Sequence, residues 1–439
     1  MKKNIALVLL LLAVCLLSGC NMRTIDELYC LPKRSEAYNN LQSQIDKAMA
    51  GYEYCAPLSG ENRQRVQMVD LNGDGEEEYL LFAKGSANAP LHIFIFAGDG
   101  KEYMLLDTIT STGTAFEQVE YVQMDNKKGS EIVLGCQVSD QVIRNVTVYT
   151  MTDGQMEQMV TANYSKFVCH DLDKDNRSEL LVLRPGATAV DNGIAELYGV
   201  ENGIMERSHE VSMSEPSDAI QRIMVGKLHD GHRAVYVASD VDGSAIITDV
   251  YAVVNGSFTN VSFSNESGTS VQTLRNYYVY ADDIDEDGVL ELPDLITMPY
   301  IGNTQSSENQ HLIRWYAMDS EGKEIDKMYT YHNVVGGWYM RLNEDIAEKI
   351  FVIQQGNSYE FHIWESEQHV KYKLLTVYVL TGQKREEQAQ IDNRFVLHRT
   401  ESTVYAANLD VASATYGISK EKVLKSFQMI LTDWKTGET

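Results

Sequence analysis

Three times the chain runs an acidic nine-residue loop straight into an apolar strand. The copies are Asp70-Leu71-Asn72-Gly73-Asp74-Gly75-Glu76-Glu77-Glu78, Asp171-Leu172-Asp173-Lys174-Asp175-Asn176-Arg177-Ser178-Glu179 and Asp283-Ile284-Asp285-Glu286-Asp287-Gly288-Val289-Leu290-Glu291. Oxygen-bearing side chains stand at loop positions 1, 3, 5 and 9, and position 6 is Gly or Asn, which enter left-handed backbone at least cost. Such a loop wraps its oxygens around one point. Like charges held that close repel one another unless a cation neutralises them. Calcium takes six to eight oxygen ligands at about 2.3–2.6 Å, and magnesium demands a stricter octahedron, so the pattern predicts calcium. The side chains at 1, 3, 5 and 9 are joined in that reading by the main-chain carbonyls of Glu76, Arg177 and Val289 at position 7. An EF-hand is excluded, because its closing acid comes at position 12 and a helix follows.

The acidic loops also serve as a ruler. Aligned on the residue before the strand, copies fall at Glu78, Glu131, Glu179, Ala234 and Glu291, spaced 53, 48, 55 and 57 residues apart. Short β-branched and aromatic runs broken by Gly, Asn and Asp fill the intervals, among them Tyr79–Ala83, His92–Ala97, Ile132–Gly135 and Val146–Thr150. A period near 50 residues holding several strands predicts one four-stranded blade per copy, with a ladder of hairpins as the alternative. Two copies are degenerate. The second has Gln123, Asp125 and Lys127 at positions 1, 3 and 5, and the fourth has Gly226, Leu228 and Ala234 where ligands would stand, so neither is expected to bind metal.

Asp-x-Asp/Asn-x-Asp-Gly-x-x-Glu before an apolar strand resembles the FG-GAP/VCBS repeats of integrin-type β-propellers, over about residues 60–330. The resemblance implies structural calcium in the three intact loops. Five copies are fewer than the seven blades usual in that family. The chain as a whole resembles the repeat-bearing lipoproteins of Firmicutes-type bacteria.

That last resemblance rests on the N-terminus. Lys2 and Lys3 precede the apolar run Ile5 to Leu17, too short to span a bilayer but of signal-peptide length, and it ends in Leu17-Ser18-Gly19-Cys20. This looks like a lipobox, which implies removal of residues 1–19 and lipidation of Cys20. Two acyl chains suffice for stable anchoring. The expectation is an extracytoplasmic protein held on a membrane. Of the other cysteines, Cys30, Cys55, Cys136 and Cys169 remain in a compartment where disulfides persist, either paired or as small buried hydrophobes.

Residues 20–59 read as a tether and one amphipathic helix, with Ser35 as N-cap, Tyr38, Leu41, Ile45 and Met49 on one face and Gly51 as the stop. Residues 60–331 are the repeat region. Residues 332–439 read as a separate α+β domain with strands at Ile350–Gln354, Tyr359–Trp364, Leu374–Leu380 and Val404–Ala407. A closing helix capped by Ser419 is expected to carry the stripe Val423, Leu424, Phe427, Ile430, Leu431 and Trp434. The expected architecture is therefore mainly β: a propeller-like array of about five repeats between an N-terminal helix and a C-terminal α+β domain.

Composition narrows the function. With 37 basic and 63 acidic residues the formal charge is −26, which argues against nucleic acid as partner. Catalytic signatures are weak. Cys169 and His170 are strand neighbours and point to opposite faces, His229 and His232 lie in a degenerate loop, and no nucleophile elbow or phosphate loop occurs. The aromatics Tyr277, Tyr278, Tyr280, Trp315, Trp338 and Tyr339 suit a core better than a sugar platform. The sequence thus points to a binding or scaffold lipoprotein, its partners a membrane through the lipid and a cell-wall glycan or surface protein. A polysaccharide lyase or hydrolase on a propeller is the alternative.

Overall fold

The computed structural model describes residues 36–85, 91–138, 143–188, 191–296, 298, 310–365 and 370–430. Cys20, Cys30, Ser35, Leu431 and Trp434 lie outside the described residues. The protein is mainly β, built from six antiparallel sheets that follow one another along the chain. The first holds Tyr52–Tyr54, Val66–Val69, Glu78–Gly85, Leu91–Gly98 and Tyr103–Ser111. The second runs from Ala115 to Asn163, the third from Lys166 to Ser212 and the fourth from Ile220 to Asn260, each a four-stranded meander. Leu292–Ile296, Gln310–Met318, Glu324–Asn333, Trp338–Leu342 and Phe427–Met429 make the fifth. The strands between Ile350 and Leu409 make the sixth.

The apolar runs explain how these sheets pack. A strand buried on one face alternates apolar and polar, whereas a continuous apolar run needs cover on both faces. In the first sheet Leu80 and Phe82 face Phe116, Ile132 and Leu134 of the second, while Leu81 and Ala83 turn the other way. Val133 of the second sheet then meets Leu180 and Val182 of the third, whose Leu181 and Leu183 meet Val235 and Val237 of the fourth. Ala234 and Tyr236 continue to Leu292 and Tyr316 of the fifth, and Tyr331, Trp338 and Met340 to Phe361 and Val377 of the sixth. One residue of offset sends consecutive side chains to different neighbours, so each of the second to fifth sheets is the filling between two others.

The ends of this stack are closed locally. The helix Glu36–Ala48 buries Leu41 and Ile45 on Leu81, Ala83, Phe94 and Phe96, the outward face of the first sheet. Tyr38, expected on that face, is 44% exposed. At the far end Ala389, beside the short helix Arg385–Gln388, packs on Leu380, Val404 and Ala406 of the sixth sheet. Among the described residues no core cluster joins the first sheet to the sixth. No described helix is long and apolar enough to cross a membrane.

Two expectations for the C-terminal region need correction. The boundary at 331/332 falls inside the strand Glu324–Asn333, and that strand's sheet is completed by Trp338–Leu342 and Phe427–Met429. The closing helix is only Lys420–Ser426, capped by Ser419 as expected. Phe427 belongs to a strand that pairs with Trp338–Met340, and Leu424 is 41% exposed rather than on a buried stripe. The free edge of Trp338–Leu342 offers unpaired main-chain groups, and satisfying them outweighs three more residues of helix. Cys55, Cys136 and Cys169 are free thiols.

Candidate metal centres in the acidic loops

Four of the five aligned positions, Glu78, Glu131, Glu179 and Ala234, lie in strands of four different sheets, and Glu291 stands at an isolated bridge to Asp282 directly before the fifth sheet's Leu292–Ile296. Each intact loop turns through two left-handed residues, at positions 4 and 6: Gly73 and Gly75, Lys174 and Asn176, Glu286 and Gly288. This winding points the main-chain amides inward. Asp70 accepts from the amides of Gly73 and Gly75 at 2.6 and 2.9 Å, Asp171 from Asn176 at 3.0 Å, and Asp283 from Asp287 and Gly288 at 2.9 Å each.

The position-9 glutamate has a role that needs no metal. Its carboxylate accepts the amide of position 2 in every copy that has it: Glu78 from Leu71 at 2.8 Å, Glu131 from Met124 at 2.7 Å, Glu179 from Leu172 at 2.7 Å and Glu291 from Ile284 at 3.1 Å. The degenerate second loop keeps Glu131 for this purpose, and Thr150 donates to its other oxygen at 3.1 Å. Asp125 there is paired with Lys127 at 3.6 Å. In the fourth loop Leu228, 0% exposed, fills the space a ligand would take.

The intact loops differ among themselves. Asp171, Asp173 and Glu179 in the third, and Asp283, Asp285 and Glu291 in the fifth, each bring three carboxylate oxygens within 4.8 Å of one another and could hold a metal ion. One buried oxygen in each cluster, Asp171 Oδ1 and Glu291 Oε1, has no hydrogen-bond partner. Buried polar atoms are nearly always satisfied, and an unpartnered carboxylate oxygen on a member of a three-carboxylate cluster fits coordination of a cation. The first loop carries one charge less. Asn72 Nδ2 donates to Glu78 at 2.8 Å and its Oδ1 accepts from Asp74 at 2.8 Å, so part of this cage is satisfied internally.

The position-5 acids stand apart from the clusters, because side-chain cations hold them. Arg177 Nε donates to Asp175 at 2.7 Å, so despite burial its carboxyl sits below the usual range. Lys327 from the fifth sheet lies 2.5 Å from Asp287 and lowers that carboxyl too, with Asp285 at 3.9 Å and Glu291 at 3.8 Å. Arg233, from the degenerate fourth copy, pairs with Asp171 and donates to its carbonyl at 2.9 Å. The sequence reading missed Lys327 and Arg233. Nothing local marks them: Arg233 comes from the neighbouring fourth sheet, and Lys327 from a strand of the fifth sheet 36 residues beyond Glu291.

Burial, seconded by the neighbouring aspartates, pushes Glu179 up to about 7 and Glu291 up to about 8 from an ordinary 4.5. In the metal-free protein the folded state therefore holds protons that the unfolded chain has released. Stability then falls as pH rises from about 4.5 through these values. Urea midpoints in chelator should drop between pH 5 and 8, and saturating calcium should remove that drop. A flat or rising profile in chelator contradicts this electrostatic account.

The loops also touch one another along one edge of the stack. Ser130 N donates to Asp70 O at 3.2 Å and Ser178 N to Gln123 O at 2.7 Å, position 8 of one copy bonding position 1 of the copy before it. Arg233 repeats this link through its side chain. Leu290 N bonds Lys227 O at 3.2 Å between the fourth and fifth copies. A cation that stiffens one loop thus stiffens a joint between two sheets.

No family model and no curated protein matches the sequence. Among solved structures the chain is similar to a rhamnogalacturonan lyase of Bacillus licheniformis (13% identity, 73% of this chain and 71% of that one, TM-score 0.29). It is also similar to a protein from Lactobacillus plantarum (12%, 73% and 86%, TM-score 0.29). A putative 6-phosphogluconolactonase from Bacteroides uniformis is a third (12%, 71% and 95%, TM-score 0.27). At such scores these likenesses bear on neither topology nor activity.

Proposed function

We propose that this chain is the extracytoplasmic part of a lipid-anchored binding or scaffold protein, an array of propeller-type blades of the FG-GAP/VCBS kind whose edge loops bind calcium structurally. The orphaned oxygens of Asp171 and Glu291 inside three-carboxylate clusters carry the calcium half of this reading. Calcium binding at the third and fifth loops is expected to be tighter than at the first, since affinity follows ligand charge count. Isothermal calorimetry on chelator-stripped protein tests it, and absence of binding heat would leave the loops as solvated turns.

The anchoring half comes from Leu17 to Cys20. Cys20→Ala should abolish incorporation of a labelled fatty acid in a bacterial host. Labelling equal to that of the parent contradicts the lipoprotein reading.

A groove of about 520 Å³ beside the third loop gives the scaffold a place for a ligand. Arg177, Arg207, His209 and Phe258 line it, and His209 Nδ1 is buried without a partner. Five carboxylates, Asp173, Asp175, Glu179, Glu201 and Glu206, line it as well, and both arginines are ion-paired, so this polar, net acidic lining suits a neutral or amino-bearing glycan. A binding screen of cell-wall glycans with mass spectrometry of the recovered ligand separates the alternatives: unchanged ligand supports a binding protein, and shortened or unsaturated product supports a lyase or hydrolase.

Lys327 sets a second expectation for the fifth loop. Its ammonium occupies the edge of the carboxylate cluster at 15% exposure and must give way to calcium. Two unit charges about 4 Å apart interact by about 4 kcal/mol near a protein surface, part of which moving the lysine into water recovers. Lys327→Met should tighten calcium at this loop by roughly tenfold and destabilise the calcium-free protein. Unchanged affinity in calorimetry would mean that the lysine does not compete.

A further inference from the structure

Between the fifth and sixth sheets the core does not close completely. A cavity of about 350 Å³ remains beneath the helix Lys420–Ser426, within the range of small-molecule sites. Its walls are core side chains: Met340, Ile346, Ile350, Leu375 and Val423, all 6% exposed or less, with Ile418 at the opening. The strand period turns the side chains of Met340 and Leu342 toward this space, and Arg341, which also lines it, commits its Nη2 to Ile284 O at 2.8 Å. The Ser419 cap accepts the Lys422 amide at 3.3 Å and starts the helix so that Val423 faces inward.

The charge at this cavity runs against that of the chain. Among the described residues no acidic side chain lines it, whereas Lys422 and Lys425 both do. Lys422 makes no ion pair among the described residues. Its Nζ lies 3.7 Å from where a Cβ on Gly417 would stand, beside Ile418 at the opening. Lys425 pairs with Glu421 at 3.3 Å, an exposed contact of little energetic weight.

We propose that this cavity binds an amphipathic anion: a single-chain or aromatic carboxylate whose apolar body fills the gap between the sheets and whose head group meets Lys422 and Lys425. The apolar wall supplies affinity through burial, and the lysines select for the negative head. This proposal is independent of the calcium loops.

Calorimetry of the full chain with decanoate tests it, with octanoate and decanol as comparators. Decanoate should bind at one site per chain, each methylene removed should weaken binding about fourfold, and decanol should bind at least tenfold more weakly. The double variant Lys422→Glu/Lys425→Glu changes only exposed side chains, and its melting curve should match that of the parent. It should lose at least tenfold in decanoate affinity and nothing in decanol affinity. No decanoate binding, or binding indifferent to chain length or to the two lysines, would overturn the proposal.

Discussion

Chelator-stripped protein should melt well below calcium-loaded protein, by an amount set by the number of loops filled. Calcium binds the folded cages and not the unfolded chain, so each site contributes RT ln(1 + [Ca]/Kd), about 2.7 kcal/mol at a hundredfold excess over Kd. The third and fifth loops together then contribute about 5 kcal/mol, comparable to the whole stability of many domains. Because Ser178 N and Leu290 N tie these loops to their neighbours, the loss should spread across sheet junctions rather than remain a local loosening. Differential scanning calorimetry in chelator and in millimolar calcium measures it. Superimposable melting curves would contradict it.

Removing the position-9 glutamate should separate its two roles. Glu131→Ala strips the acceptor from the Met124 amide and the Thr150 hydroxyl, and Glu291→Ala strips it from the Ile284 amide. The first leaves two buried donors unpaired and the second one, at about 1–3 kcal/mol for each donor. In chelator the Glu131 variant should therefore lose at least as much stability as the Glu291 variant. In saturating calcium the Glu291 variant should fall further behind the parent, by about 2.7 kcal/mol, because it alone has lost a ligand. Equal losses under both conditions would reduce Glu291 to a main-chain cap.

Much of this was legible in the sequence, for identifiable reasons. The loop pattern fixes its own winding, since Gly75, Asn176 and Gly288 stand where left-handed backbone is required and Asp70, Asp171 and Asp283 accept the amides that winding exposes. Paired apolar residues such as Leu80-Leu81 and Leu180-Leu181 announce sheets covered on both faces. What escaped depends on partners distant along the chain. Lys327 contacts Asp287 across 40 residues and Arg233 contacts Asp171 across 62. Phe427 satisfies a helical period and a strand equally well, and only the open edge at Trp338–Met340 decides between them. Glu131, in a copy not expected to bind metal, is a buried cap with its own partners, a role the alignment alone does not reveal.

The direct measurement of the central claim is a count of bound calcium by native mass spectrometry, on the parent, Asp173→Ala, Asp285→Ala and the double variant. The parent should retain two ions at low free calcium and gain a third, in the first loop, as calcium rises. Each single variant should lose one of the first two ions and the double variant both. A parent that binds no calcium, or variants that retain the parent's count, would contradict the assignment of these loops as calcium sites.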